Sequence, residues 1–209
     1  MPRSKEGMVR LLRRDGVTDE RVLAAFRHVA REEFVPSEAR SQAYADRPIG
    51  ILEGQTTSQP SLIARMIEAA RIDPEDRVLE VGTGFGFQTA LLARLAAEVV
   101  SIDRFASLIE VAEANLSRAG IKNVRSLVGD GWEGVPEHAP YGAIVVSAAA
   151  TEVPPALKEQ LSDGGRLVIP VKAANNDEVL IFEKDGDELK RIGLLTPARF
   201  VPLVPGAPG

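Results

Sequence analysis

Cysteine is absent from the 209 residues, and with it go disulfides, thiolate metal sites, iron–sulfur clusters and cysteine nucleophiles. Two histidines, His28 and His138, leave little from which to build a zinc site, and no metal is expected. No segment approaches the ~20 apolar residues of a membrane-spanning helix. The longest apolar-rich stretch lies near Ala143–Ala150. Basic residues are not in excess either. Lys and Arg number 25 against 30 Asp and Glu, a net charge of −5, which does not support a nucleic-acid partner. The opening MPRSKEGMVRLLRR is charged and lacks the apolar centre of a secretory signal, so the expectation is a soluble, cytoplasmic chain without a membrane partner.

What is present is ordinary for a globular chain: 44% hydrophobic and 26% charged residues. At this length a chain can bury roughly 70% of its unfolded surface without a metal or disulfide staple. The first third reads as helical. Leu11 and Leu12 sit in a short basic helix; Val22, Leu23, Phe26 and Val29 sit at helical spacing in a second, capped by Thr18 or Asp19. Glu32-Glu33-Phe34-Val35-Pro36 breaks the pattern.

From Tyr44 to Gln59 periodicity is lost, and Gln55-Thr56-Thr57-Ser58-Gln59 is a run of small or amide polar groups. Pro60 suits a first helical turn, and Leu62, Ile63, Met66, Ile67 and Ala70 form an apolar stripe behind it. The polar run therefore precedes a helix N-terminus, whose free N–H groups suit a carboxylate or phosphate. A capping role alone for Thr57 or Ser58 stays open.

Beyond Pro74 strands and helices alternate. Strands are predicted over Arg77–Val81, Val99–Asp103, Val124–Val128, Ala143–Ser147 and Arg166–Val171. Helices run through Leu91, Leu92 and Leu95, through Leu108 to Leu116 with Gly120 ending it, and over Leu157–Leu161. That alternation predicts a parallel, doubly wound α/β sheet. Val179–Glu183 and Arg191–Leu195, flanking Asp185-Gly186-Asp187, add an antiparallel edge. The residues from Pro205 to Gly209 read as a frayed tail.

Gly82-Thr83-Gly84-Phe85-Gly86 leaves the first of these strands and enters a helix, where glycines allow a tight turn and close backbone approach to a ligand. Its spacing differs from the Gly-x-Gly-x-x-Gly dinucleotide fingerprint, which weakens a nicotinamide reading. Asp103 ends the next strand, where an acid can take ribose hydroxyls. Asp130 follows the third. Together these acids and glycines line the carboxyl ends of successive strands, where open α/β sheets bind ligands, and they point to a nucleoside-containing cofactor. A purely structural turn at the glycines is the alternative.

This arrangement resembles the class I S-adenosylmethionine-dependent methyltransferases, and more closely the protein-L-isoaspartate O-methyltransferase family. The resemblance is carried by Gln55-Thr56-Thr57-Ser58-Gln59-Pro60, Val78-Leu79-Glu80-Val81-Gly82-Thr83-Gly84, Val128-Gly129-Asp130-Gly131-Trp132, Ala148-Ala149-Ala150, Gln160 to Val171, and Arg199-Phe200-Val201-Pro202-Leu203-Val204. It implies a mostly parallel, seven-stranded Rossmann-like sheet with an N-terminal helical extension and an antiparallel C-terminal edge. It divides the chain into 1–60 (helical extension and substrate loop), 61–204 (methyltransferase domain) and 205–209 (flexible tail), one compact unit overall. It implies methyl transfer from S-adenosyl-L-methionine, with S-adenosyl-L-homocysteine as product, to L-isoaspartyl and D-aspartyl carboxylates of damaged proteins. Isoaspartyl peptides and proteins would be the partners of a monomer.

By the same resemblance, Ser58 is the active-site hydroxyl, with Thr56 nearby. Gly82, Thr83, Gly84 and Gly86 form the cofactor turn, and Gly82 and Gly84 approach the methionine portion. Asp103 holds the ribose, with Arg104 beside it, and Asp130 and Gly131 lie against adenine. Val201–Val204 folds back over the cofactor. The family pattern differs at five places. Phe85 stands where a small residue is usual and Phe87 where Tyr or Trp is. Ile49-Gly50-Ile51-Leu52 replaces Leu-Pro-Ile-Gly, Gly142 replaces Asp, and Ser147 replaces Thr. Two other readings stay open: a methyltransferase of this fold acting on another substrate, and a non-catalytic cofactor-binding module.

Overall fold

The computed structural model describes residues 4–206. The part of the opening segment at residues 1–3, and residues 207–209 of the expected tail, lie outside the described residues. Two amphipathic helices come first, α1 (Lys5–Arg14) and α2 (Glu20–His28). Asp19 is the cap of α2, its carboxylate accepting from the N–H groups of Arg21 and Val22. A 3-10 turn over Arg31–Phe34 follows where the helical pattern breaks. Two short strands, β1 (Ile49–Gly50) and β2 (Thr56–Thr57), then pair antiparallel, ahead of α3 (Pro60–Ala70).

The rest is one seven-stranded sheet. In chain order it has β3 (Arg77–Val81), α4 (Phe87–Leu92), β4 (Glu98–Asp103), α5 (Ala106–Arg118), β5 (Val124–Val128), β6 (Tyr141–Val146), α6 (Pro155–Gln160), β7 (Leu161–Lys172), β8 (Asp177–Asp185) and β9 (Glu188–Ala198). The order across the sheet is β5-β4-β3-β6-β7-β8-β9. The five strands β3 to β7 are parallel, and β8 and β9 add the antiparallel edge. The expected helix over Leu157–Leu161 ends one residue early, because Leu161 already pairs with Tyr141 of β6.

Side-chain alternation divides the core in two. Val78, Val99, Ala143, Val145 and Val168 face one way and pack with α1, α2, α3 and α4; Leu79, Val81, Val100, Ile144, Val146, Leu167 and Ile169 face the other way and pack with α6. Each such fully buried aliphatic side chain is worth ~1.5–3 kcal/mol. Both faces are covered, so the strands read as continuous apolar runs. Phe26 of α2 meets Phe87 of α4 edge-on at 5.8 Å, which ties the helical extension into the first core. The strand order reverses between β3 and β6. The crevice beyond their carboxyl ends, at Gly82 and Ser147, is the switch point where such sheets take ligands.

Candidate active site

The glycine turn is fixed by three contacts. The Gly82 N–H donates to Ile102, and the Ser147 N–H donates to Val81, so the ends of β3, β4 and β6 are laced together. Gly82 has φ +97°, and a Cβ there would meet the Ser147 Cβ at 3.1 Å, so both the backbone and the neighbour demand glycine. The Gly84 N–H donates to the Asp103 carboxylate at 2.9 Å, and the Phe105 N–H donates to its other oxygen. Asp103 is buried; burial raises its pKa and these backbone donors pull it back down. Asp103 lines a cavity of about 80 Å³. Gly82, Gly84, Arg104, Gly131, Ser147 and Leu203 share in lining that cavity, with Ile102, Phe105 and Leu108 as apolar walls.

Beneath the turn lies a polar network that residue types alone did not announce. Glu80 of β3 is fully buried and accepts from Ser101 at 2.6 Å, from Thr89, and from the Gln88 amide at 3.0 Å. Burial lifts its pKa to about 7, against the pull of those three donors. Thr83 is buried in the same network, its hydroxyl 2.6 Å from that of Ser101, and it borders a smaller cavity behind the turn.

The Ser58 loop is held by a residue that sequence reasoning missed. Arg31 is fully buried, and its guanidinium donates to the carbonyls of Ala43, Ala45 and Ser58, the last at 2.9 Å. It also lies 5.5 Å over the Phe87 ring. Burial lowers its pKa to about 10, still well above neutrality. The one available signal was a lone Arg beside a helix break. Its partners lie 12–27 residues downstream and have no side-chain signature.

Ser58, Thr56 and the glycines do meet. A narrow cavity of about 30 Å³ is lined by Thr56, Thr57, Ser58, Gly82, Thr83, Gly84, Phe85 and Ser147. Ser58 and Thr56 also line a wider, 260 Å³ cleft between α3 and the segment 196–201. Thr56 and Ser147 border all three cavities. The Ser58 hydroxyl makes no hydrogen bond to the protein among the described residues.

Several expected residues are placed differently from the sequence expectation. The α3 N-terminus is not open to a ligand: Asp46 accepts from the Ser61 N–H at 2.9 Å and from its hydroxyl, so an internal carboxylate takes the cap. Gly86 lines none of the three cavities. It starts α4 at φ +88°, and a Cβ there would touch Ala112 and Leu116, so its role is the close approach of α4 to α5. Asp130 does not line the cavity beside Asp103 either. Its oxygens are engaged by the N–H groups of Trp132 at 2.9 Å and Gly206 at 2.6 Å. That contact also ties down Gly206, which was expected to fray. Arg104 does border the cavity, and its guanidinium reaches the Val204 carbonyl at 3.3 Å, fastening the C-terminal segment beside Leu203. Gly131 faces the cavity, and a Cβ there would overlap the Val81 side chain. Among the described residues no helix is long and apolar enough to cross a membrane.

A family model described as protein-L-isoaspartate(D-aspartate) O-methyltransferase matches residues 3–207. This chain belongs to the protein-L-isoaspartate O-methyltransferase family. It is 47% identical over 203 residues to the protein-L-isoaspartate O-methyltransferase of Methanoculleus marisnigri, covering 97% of this chain and 92% of that one. It is 50% identical over 190 residues to that of Anaeromyxobacter dehalogenans, covering 90% and 91%. A solved protein-L-isoaspartate O-methyltransferase superposes with a TM-score of 0.86 at 33% identity, over 99% of this chain and 67% of the other. A Plasmodium falciparum structure solved with S-adenosyl-L-homocysteine gives 0.83 over 98% and 99%, but at 23% identity it speaks to the fold alone.

The departures from the isoaspartate methyltransferase pattern fall into place structurally. Phe87 needs no hydroxyl, since its ring is buried against Phe26, Phe34 and Arg31. Phe85 is buried at the wall of the narrow cavity. Gly142 lies at the start of β6, remote from the crevice, where the Asp76 carboxylate occupies the space a Cβ would need. Ile51 packs over Gly84, whereas Leu52 is exposed, so the altered loop keeps one apolar contact with the turn. Ser147 alone among the five lines all three cavities.

Proposed function

We propose that this member of the family esterifies the free carboxylate of L-isoaspartyl and D-aspartyl residues in damaged proteins, with Ser58 and Thr56 receiving the carboxylate and Asp103 holding the cofactor. The observation that carries this reading is that Ser58 and the turn Gly82–Gly84 open onto one cavity. S-adenosyl-L-methionine, when bound, supplies a sulfonium methyl that a carboxylate oxygen takes as the S–C bond breaks, leaving S-adenosyl-L-homocysteine and a methyl ester.

The residues present fit that cofactor. Asp103 lines the cavity as an acidic acceptor for a ribose diol, Gly131 leaves space beside Leu203 for a flat base, and Gly82 and Gly84 let the backbone come close without side chains. Gly131 takes the adenine wall in this reading, while Asp130 holds the turn and the tail in place. A carboxylate with a pKa near 4 is ionised at pH 7, so the protein need not remove a proton. Its task is alignment of oxygen and methyl, which can supply roughly 7–11 kcal/mol. Charge is neutralised as the ester forms, so the protein must orient the carboxylate with a few neutral donors and leave it reactive. The Ser58 hydroxyl meets that requirement, and Arg31 is held away from it on the backbone side.

The test is methyl transfer from labelled S-adenosyl-L-methionine to an isoaspartyl peptide beside its aspartyl twin. Base-labile label on the isoaspartyl peptide alone is expected. Label on neither, with cofactor still bound, would favour a non-catalytic module; label on both would indicate a different substrate.

A further inference from the structure

Resting on that proposed reaction, we infer that Ser147 is a second hydroxyl donor to the substrate carboxylate, reaching it from the sheet side, opposite Ser58. Gln88 sets its direction. The Gln88 amide nitrogen donates one hydrogen to Glu80 at 3.0 Å and the other to the Ser147 hydroxyl oxygen at 2.9 Å. The amide presents its nitrogen to Glu80, whose other oxygen already accepts from Ser101 and Thr89, and its second hydrogen is thereby aimed at the Ser147 oxygen. Glu80 is pinned in turn by Ser101 and Thr89.

With one lone pair of Ser147 occupied by Gln88, its own proton must point elsewhere, and no described residue accepts it. Ser147 borders the cavity beside Asp103, the cleft beside Ser58 and the narrow cavity lined by both Ser58 and the glycine turn. A group with an unspent O–H there is placed to donate to one carboxylate oxygen and leave the other for the methyl. The acceptor is an anionic carboxylate, and the donation transfers no proton. Thr, the usual family residue here, carries the same hydroxyl.

The experiment uses the full chain as wild type, Ser147→Ala and Ser147→Thr. It measures kcat/KM for an isoaspartyl peptide, and peptide Kd in the presence of S-adenosyl-L-homocysteine, with S-adenosyl-L-homocysteine Kd and Tm as controls. Ser147→Ala is expected to lose about tenfold or more in kcat/KM, as for loss of one hydrogen bond to a charged group. Peptide binding should weaken while S-adenosyl-L-homocysteine Kd stays within twofold, Tm should fall only by the few degrees that one unpaired Gln88 hydrogen costs, and Ser147→Thr should restore both activity and Tm. An active wild type matched by Ser147→Ala overturns this inference and leaves the proposed function standing. Equal loss of peptide and S-adenosyl-L-homocysteine affinity in Ser147→Ala also overturns it. A wild type that neither binds nor methylates the peptide overturns both.

Discussion

The guanidinium of Arg31 holds the main-chain carbonyl of Ser58 at 2.9 Å, from a position with no solvent exposure. One buried cation thereby fixes the backbone that carries the proposed substrate-binding hydroxyl of Ser58, together with the carbonyls of Ala43 and Ala45. Replacing Arg31 with Met would strand those carbonyls, at ~1–3 kcal/mol for each that water cannot reach. Arg31→Met is expected to lower unfolding stability by at least ~3 kcal/mol in urea denaturation and to raise the peptide KM. An unchanged midpoint would show that the loop does not depend on this contact.

Glu80 makes a pH-dependent prediction. Its carboxyl has a pKa near 7 in the folded protein against an ordinary 4.5, with burial as the main cause. Between those values the folded state binds more protons than the unfolded one, so stability falls as pH rises. The contribution is full below about pH 4.5, is lost as pH climbs through 7, and is level above that. Thermal melts of wild type minus Glu80→Gln should show this downward slope. A flat difference from pH 4.5 to 7.5 would place the Glu80 carboxyl near its ordinary pKa.

Much of this architecture was legible because parallel strands buried on both faces appear as short apolar runs. Arg77–Val81 and Val124–Val128 have the bounds the sequence suggests. The C-terminal strands were underestimated: β7 runs Leu161–Lys172 against an expected Arg166–Val171, because Leu161 already pairs with Tyr141 of β6 and Lys172 still pairs with Asp177 of β8. The β1–β2 hairpin was not legible, since two-residue strands show no period. Site residues placed on strand ends, Gly82, Gly84, Asp103 and Gly131, do line the crevice. Gly86 and Asp130 do not line that cavity, because motif position cannot distinguish a glycine facing ligand from one facing a helix, or an acid facing a cavity from one capping a turn. Arg31 and Asp46 escaped notice because their partners come from tertiary folding.

Gly142 and Asp76 form a packing pair at the far end of β6. A Cβ on Gly142 would overlap the Asp76 carboxylate, which also accepts from the Asp73 N–H at 2.8 Å. Gly142→Asp, which installs the usual family residue, is expected to destabilise by ~1–3 kcal/mol through overpacking and like charge. Turnover of the folded fraction should be unchanged, and Asp76→Ala should relieve part of the loss. A neutral Gly142→Asp variant would mean that Asp76 swings away at no cost.

Ser58 and Asp103 divide the labour in this account: one positions the carboxylate, the other the cofactor. The direct test measures kcat/KM for an isoaspartyl peptide and Kd for S-adenosyl-L-homocysteine in Ser58→Ala and Asp103→Ala side by side. Ser58→Ala should lose ~10- to 100-fold in kcat/KM, the value of a hydrogen bond to a charged group, with cofactor Kd nearly intact. Asp103→Ala should weaken the cofactor first. Parallel losses of both quantities in Ser58→Ala would contradict the account and give Ser58 a structural role.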